Sequence, residues 1–111
     1  MSSDCIFCKI AAKEIKSNLI YEDDNAVAFN DLSPQAPVHF LVIPKKHYSS
    51  LNDIDSIDVF ADIFSVIPKI AKKLNIKDYR TVVNTGESAG QTVFHMHVHV
   101  MSGRDFSWPA G

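Results

Sequence analysis

Histidines alternate with apolar residues through one segment, Phe94-His95-Met96-His97-Val98-His99-Val100-Met101. Successive side chains of a β-strand point to opposite faces, so a strand would place the three histidines on one face and the apolar residues on the other. A helix would scatter the three rings around its axis. The alternation therefore predicts a strand over residues 93–101, with its apolar face on a helix and its histidine face available for a site.

A long helical pattern precedes this strand. Between Asp55 and Leu74 the apolar residues fall on one stripe, Phe60, Ile63, Phe64, Ile67, Ile70, Ala71 and Leu74. Pro68 lies inside this pattern, where it removes a backbone donor, so we expect either one kinked helix or two shorter ones. A second, short helix is predicted from Cys5 to Ile15, with Asp4 as its N-cap.

Four further strands are predicted, over residues 19–22, 26–29, 39–43 and 80–84. The first two flank Asp23-Asp24-Asn25, which is typical of a hairpin turn. Pro44 ends the third strand, and a glycine-containing loop separates the fourth from the histidine strand. Short hairpin connections favour an antiparallel sheet with the long helix on one face, which predicts one α+β domain over residues 1–111.

Composition limits which classes of partner and which cellular compartment we expect. The 111 residues carry a formal net charge of −2 without a basic stripe, which argues against a nucleic-acid partner. No stretch approaches the ~20 apolar residues of a membrane span, and Met1-Ser2-Ser3-Asp4-Cys5 does not resemble a secretory signal. Two cysteines cannot build a disulfide framework. We therefore expect a cytoplasmic protein, with the nucleus also open if the source is eukaryotic.

Three neighbouring imidazoles suit nucleophilic chemistry near neutral pH. His97 is the central one and has a potential helper on each side. The preceding loop contains Gly86 and Gly90, two of the four glycines, which would let backbone N–H groups approach an anion, while Gln91 and Thr92 add side-chain donors. Donors beside a nucleophile indicate attack at phosphorus, with the loop holding the phosphoryl oxygens.

Two other interpretations of the histidines stay open at this point. Each ring could be a buried polar side chain that only satisfies its hydrogen bonds. Alternating strand histidines could also chelate a metal on their own. The spacing of the three residues alone does not separate these interpretations from catalysis.

The chain resembles the histidine triad (HIT) family. The signature of that family is His-φ-His-φ-His-φ-φ, where φ is apolar, and residues 95–101 match it fully. The resemblance extends over nearly the whole chain, through residues 6–10, 21–24, 31–37, 39–47 and Trp108-Pro109. It is closest to the branch of small nucleoside phosphoramidate hydrolases. It implies the HIT-like fold, with the sheet extended across a homodimer and Trp108 near the partner's site.

The resemblance also implies a mechanism. His97 would attack the α-phosphorus of a purine nucleoside 5′-phosphoramidate or acyl-nucleotide, and water would then hydrolyse the nucleotidyl-histidine to a nucleoside monophosphate. His99 would contact the phosphate and handle protons, and His39 and His95 would complete the network near the leaving group. The reaction would need no cofactor.

A nucleotide site follows from the same resemblance. Asp31 would accept hydrogen bonds from the ribose hydroxyls. The phosphate would be held by Asn84, Gly90, Gln91 and Thr92. The base would lie between the apolar residues Phe7, Ile10 and Leu41.

Cys5 and Cys8 form a C-x-x-C pair, a spacing that suits zinc. His47 and His95 are available to complete a tetrahedral site, and the resemblance implies a structural zinc with this set. Alternatively, the cysteines are small buried residues or a redox pair. If His95 is a zinc ligand, it cannot also donate a proton, and His99 and His39 must do the acid–base work.

Other functions remain open. A sister branch with the same triad hydrolyses dinucleoside polyphosphates, and a related nucleotidyl transferase branch has glutamine where this chain has His99. A nucleotide-binding module with little turnover would use the same pocket. The leaving group and the preference between adenine and guanine do not follow from the sequence.

Overall fold

Five antiparallel strands form one sheet in the computed structural model, which describes residues 4–111. The strands are β1 (Leu19–Glu22), β2 (Ala26–Asn30), β3 (Val38–Pro44), β4 (Arg80–Val82) and β5 (Val98–Ser102). Their order across the sheet is β1-β2-β3-β5-β4, and every neighbouring pair is antiparallel. This confirms the α+β prediction. Residues 1–3, on which the expectation of no secretory signal partly depends, lie outside the described residues.

The prediction of a strand over residues 93–101 was wrong at its start, because β5 begins only at Val98. Before that point the chain bonds to the segment that follows β3 and makes no regular ladder. The Met96 N–H donates to the Tyr48 carbonyl (2.7 Å), and the Pro44 carbonyl accepts from the ring of His95 (2.8 Å). The regular ladder therefore begins at Val98, whereas the alternation between the two faces already holds at His95 and Met96.

Three α-helices accompany the sheet: α1 (Ile6–Ala11), α2 (Ile57–Phe64) and α3 (Val66–Lys73). The single long helix is thus two helices divided at Ser65, the second of the two predicted outcomes. Pro68 is the third residue of α3, where a backbone N–H would have no intrahelical partner. Its ring would clash with the carbonyl four residues earlier, that of Phe64, so the two helices cannot continue as one.

Helix α1 is shorter than predicted and has a different cap. Its N-cap is Cys5, not Asp4, and the Cys5 Sγ accepts the Cys8 N–H at 3.3 Å. Two short 3-10 helices, Leu51–Asp53 and Glu87–Ala89, lie in the loops. None of the helices in residues 4–111 has the length and apolar character to cross a membrane.

The main core lies between the sheet and helices α2 and α3. It contains the buried apolar residues Ala28, Phe40, Val42, Tyr48, Ile63, Val66, Ile67, Ile70, Met96, Val98 and Val100. Three of the four apolar residues that alternate with the histidines are therefore buried against the helices, as predicted. Phe94 is the exception, because it precedes the regular strand and is 48% exposed.

A second, smaller core covers the opposite face of the sheet under α1. It contains Phe7, Ile10, Val27, Phe29, Leu41 and Ile43. Because side chains of β3 alternate, His39 lies on this same face as Leu41 and Ile43. In β5, His99 alternates with Val98 and Val100 of the main core. The face under α1 is therefore the one that carries the histidines.

Candidate active site

A pocket of about 690 Å³ lies beside α1 on this face of the sheet. Its lining includes His97 and His99 together with seven of the eight residues expected to bind nucleotide, Phe7, Ile10, Asp31, Leu41, Asn84, Gly90 and Thr92. The apolar members come from α1 and β3, and the polar ones come from the loops after β2 and β4. The fold thus brings together side chains that are separated by as many as 92 positions in the chain.

The ring of His97 is held in one tautomer by the backbone carbonyl of His95. Its Nδ1 lies 2.7 Å from the carbonyl oxygen of His95, and because a carbonyl can only accept, Nδ1 carries the hydrogen. Nε2 then keeps its lone pair. The Nε2 atom of His97 makes no hydrogen bond. Every fully buried side-chain nitrogen of the described residues does make one, so Nε2 is not fully buried, and it is accessible from the pocket that His97 lines. Burial lowers the pKa of His97, which keeps this ring neutral.

A second chain of hydrogen bonds sets the tautomer of His99. The Gln35 N–H donates to His39 Nδ1 at 3.0 Å, so a neutral His39 carries its hydrogen on Nε2. That hydrogen points to His99 Nδ1, 2.9 Å away, which leaves the hydrogen of His99 on Nε2. Burial, together with the neighbouring His97 and His39, lowers the pKa of His99 to about 4. His99 is therefore a neutral donor beside the lone pair of His97, 5.0 Å away between ring centroids.

Asp31 lies between this histidine pair and the pocket. Its Oδ2 is 3.5 Å from His39 Nε2 and 3.9 Å from His99 Nδ1. Its Oδ1 accepts the Ser33 N–H at 2.8 Å, which fixes the carboxylate at the start of the loop. The carboxylate is thus a fixed acceptor at the rim of the pocket.

The structure does not bring Gln91 to the pocket, in contrast to the expectation that it binds phosphate. The residue is only 2% exposed, and its Oε1 accepts the Gly86 N–H at 2.9 Å. Its Nε2 donates to the carbonyls of Ser49 (2.7 Å) and Val93 (3.1 Å). The Gln91 amide therefore holds the loop in shape, while Gly90, with a φ of 97°, lines the pocket.

The structure also corrects the expectation that His95 belongs to the catalytic network. His95 is fully buried, and its Nε2 donates to the Pro44 carbonyl at 2.8 Å. Its Nδ1 lies 3.3 Å from Cys5 Sγ and 3.4 Å from Cys8 Sγ, and the residue does not line the pocket. The three histidines share the face under α1, since Phe7 packs against both His95 and His97, but the ring of His95 is occupied by the cysteines.

Four side chains form what we call the Cys–His cluster: Cys5, Cys8, His47 and His95. Their donor atoms all lie within 4.8 Å of one another, and Cys8 Sγ is 3.3 Å from His47 Nδ1. Tetrahedral zinc with bonds of about 2.0 Å to nitrogen and about 2.3 Å to sulfur places neighbouring donors roughly 3.5 Å apart. The cluster fits that geometry, and the Pro44 carbonyl orients His95 as such ligands require.

Without a metal, Cys8 and His95 of the Cys–His cluster are uncharged near neutral pH. Burial, followed by the neighbouring Cys5, raises the pKa of Cys8 to about 11. Burial lowers the pKa of His95 to about 4, so its Nδ1 is a neutral ligand. A divalent cation would supply the positive charge that two adjacent thiolates need.

Sequence alone missed several contributors to the site, of which two show why. The Gln35 backbone N–H sets the tautomer of His39, and a backbone group leaves no signature in the residue type. Phe29 lines the pocket because the β2–β3 register places it opposite Leu41. The alternation of β2 and β3 could have identified Phe29, once the two strands were paired.

Comparison with known proteins gives a consistent result. The HIT domain family matches residues 12–106. The protein HitA of Neisseria gonorrhoeae is 45% identical over 101 residues, covering 88% of this chain and 94% of HitA. An uncharacterised HIT-like protein of Synechococcus elongatus is 43% identical over the full length of both chains.

Solved structures show the same fold. A HIT family hydrolase from Legionella pneumophila superimposes with a TM-score of 0.92 at 42% identity, over 97% of this chain and 100% of its own. A histidine triad protein from Clostridium difficile gives a TM-score of 0.92 at 48% identity, over 96% of each chain. With its triad, its pocket and these relatives, the chain belongs to the HIT domain family.

Proposed function

We propose that this protein is a hydrolase that cleaves the P–N bond of purine nucleoside 5′-phosphoramidates, and the corresponding bond of acyl-nucleotides. The observation that supports this most is the pairing of two fixed tautomers in one pocket. His97 presents the Nε2 lone pair and His99 presents an Nε2 hydrogen. A nucleophile beside a donor is the arrangement that displacement at phosphorus requires.

The reaction has two half-reactions. In the first, the Nε2–phosphorus bond of His97 forms as the bond to the leaving nitrogen breaks. In the second, water attacks the nucleotidyl-histidine and releases a nucleoside monophosphate. The departing nitrogen takes up one proton and the attacking water gives one up, so the cycle balances. Both protons are exchanged with solvent. The His99 Nε2 hydrogen stays in place as a donor to the departing nitrogen, and His39 keeps that ring oriented.

The shape of the pocket supports a nucleotide ligand. A volume of about 690 Å³ is within the range of small-molecule sites. The base would lie against Phe7, Ile10 and Leu41, and the ribose hydroxyls would donate to Asp31. Asn84, Gly90 and Thr92 would then contact the phosphate next to His97.

A structural zinc and a homodimer belong to the same proposal. The Cys–His cluster would hold the zinc, which stabilises the fold and takes no part in the bond changes. Two chains would join through the free edge of β4, the exposed side chains of α2 and the tail around Trp108, which is 83% exposed. We expect no nucleic-acid or membrane partner, and we expect the reducing cytoplasm as the compartment.

Hydrolysis of a fluorogenic adenosine 5′-phosphoramidate tests the proposal. The wild type should turn the compound over, and His97→Ala should lose a factor of about a thousand or more in kcat/KM, because the nucleophile supplies several kcal/mol of barrier reduction. Binding of AMP, measured by calorimetry, should persist in the variant. Phe94→Ala is the matched control, since this neighbour is exposed and does not line the pocket.

The other outcomes discriminate between functions. Equal turnover by the wild type and His97→Ala would overturn the nucleophile assignment. Binding of AMP by the wild type with no turnover would indicate a binding module. Faster cleavage of a diadenosine polyphosphate than of the phosphoramidate would move the protein to the sister branch of the family.

A further inference from the structure

His95 links the Cys–His cluster directly to the proposed nucleophile. Its ring lies between the two cysteine sulfurs, while its backbone carbonyl accepts the Nδ1 hydrogen of His97 at 2.7 Å. The orientation of the His97 ring therefore depends on where the His95 backbone is held. The ring of His95 has one further anchor, the Pro44 carbonyl at 2.8 Å.

Helix α1 makes a second link between the cluster and the nucleophile. It carries Cys8 and follows Cys5, and between them Phe7 packs edge-on against His97 with 5.1 Å between ring centroids. Phe7 also contacts Phe29 at 5.3 Å. Any movement of α1 would therefore move Phe7, the aromatic ring that packs against His97.

Helix α1 has few other attachments to the sheet. It has six residues, too few to be stable alone in water. In the described part of the chain, the backbone hydrogen bonds of residues 5–15 all close within that segment. The helix is held by the packing of Phe7 and Ile10, by one surface ion pair of Lys13, and by the Cys–His cluster.

We propose that the Cys–His cluster is a positioning device for the nucleophile. A bound Zn²⁺ fixes the His95 carbonyl and docks α1, and these two contacts keep the His97 ring in its productive tautomer and orientation. Metal occupancy then sets the rate of turnover although the metal touches no reacting atom. The inference rests on the proposed function only for the rate, because the state of the His97 ring is measurable without substrate.

The expected effect is partial, because two anchors do not involve the metal, the Pro44 carbonyl on the His95 ring and the Tyr48 carbonyl on Met96. The Met96 N–H donates to the Tyr48 carbonyl at 2.7 Å, which holds the chain between the two histidines. Loss of the metal should therefore let the His97 ring change its orientation, while β5 keeps its strand pairing. Removing a group that orients a functional residue typically lowers activity by about 10–100-fold. We expect kcat to fall by that factor when the metal is removed.

The test compares the zinc-loaded protein with chelator-treated protein and with His47→Gln, which retains three of the four donors. His47 can affect His97 only through the other members of the Cys–His cluster. Lys46→Gln is the matched control, because Lys46 is the exposed neighbour of His47. Histidine ¹⁵N NMR reports the tautomer of His97, and hydrogen exchange reports the Lys9 and Ala12 amides of α1. The kcat and the AMP affinity are measured on the same samples.

The zinc-loaded protein should show a single Nδ1–H tautomer of His97 and protected α1 amides. Removal of zinc should mix the tautomers, speed exchange in α1 and lower kcat more than AMP affinity, and re-addition of Zn²⁺ should restore all three. Unchanged spectra and kcat after removal, or failure of the wild type to bind Zn²⁺, would overturn the inference. If the fully chelated protein unfolds, partial removal of zinc from His47→Gln decides, and spectra and kcat that do not follow the zinc content of that variant would refute the inference.

The two proposals fail separately. A protein that shows the expected NMR and exchange changes but hydrolyses no phosphoramidate would refute the proposed function alone. A protein that hydrolyses phosphoramidates at the same rate with and without Zn²⁺ would refute the positioning role alone.

Discussion

A single backbone N–H determines where two catalytic candidates carry their hydrogens. The Gln35 N–H can only donate, so His39 must accept at Nδ1 and donate from Nε2, and His99 must then present its own Nε2 hydrogen to the pocket. The His95 carbonyl does the converse for His97. Two neighbouring imidazoles of the same residue type thus receive opposite roles from their backbone partners.

The lowered pKa of His99 predicts a loss of stability in acid. Its folded pKa of about 4 lies below the value of about 6.5 for an unfolded chain, so the unfolded state binds more protons between these limits. The free energy of unfolding should therefore fall as the pH drops from 6.5 to 4, by about 2 kcal/mol at pH 4.5 from this group. Urea unfolding at pH 7 and at pH 4.5 measures this fall in the free energy of unfolding.

His99→Gln is the comparison that isolates this contribution, because the other titrating groups are retained. The variant should lose about 2 kcal/mol less than the wild type between the two pH values. A variant with the same pH dependence as the wild type would contradict the origin assigned to this loss.

At the scale of the elements, the turn after β5 supports the loop of Gln35, whose N–H orients His39. Gly103 has a φ of 99°, and Arg104, the next residue, donates from Nε to the Gln35 carbonyl at 2.8 Å. Pro37, at the end of the same loop, packs against Gly103. The turn therefore contacts the loop both at Gln35 and just before β3 begins.

Gly103→Ala should destabilise the protein. A Cβ at this position would lie 2.9 Å from the Cβ of Pro37, and the positive φ is unfavourable for alanine. We expect the free energy of unfolding to fall by about 1–3 kcal/mol. Urea denaturation checks this, with Gly111→Ala as the control because a Cβ there meets no atom within 4 Å. Equal unfolding midpoints for Gly103→Ala and the wild type would contradict the steric explanation.

At the scale of the whole molecule, the free edge of β4 and the outer side of α2 are the surfaces we propose for the homodimer. Strand β4 has only β5 as a neighbour, so its outer edge is unpaired in the described chain. Ile57 is 82% exposed and Phe64 is 39% exposed on α2, which is unusual for large apolar residues. An unpaired strand edge and exposed apolar side chains each suit contact with a second copy.

Sedimentation analysis should therefore find a dimer of the wild type. The double variant Ile57→Lys, Phe64→Lys should shift the protein to monomer, because charged side chains are costly to bury in an apolar interface. Leu32→Ser is the control, since Leu32 is also exposed but lies at the mouth of the pocket. A monomeric wild type, or a double variant that remains dimeric, would refute this interface.

Much of the fold and the pocket could be predicted from the sequence. The alternation in residues 98–101, the hairpin around Asp23-Asp24-Asn25 and the apolar stripe of the helices are local patterns, and each appears in the structure. Seven of the eight expected nucleotide-binding residues line one pocket, and the four expected metal ligands lie in one cluster. The strand period and the C-x-x-C spacing carry the first set of predictions and the cysteine pair, because they fix side-chain direction, whereas the nucleotide-binding residues and the complete ligand set came from the resemblance to the HIT family.

Only the tertiary structure decided the roles of His95 and Gln91. Both are surrounded by backbone carbonyls from a distant segment, those of Pro44 for His95 and Ser49 for Gln91. Backbone groups are the same at every position, so the sequence does not show which of them will meet a given side chain. The strand period gave the face of His95 correctly, but which ring meets the cysteines and which rings line the pocket depends on where α1 packs on that face.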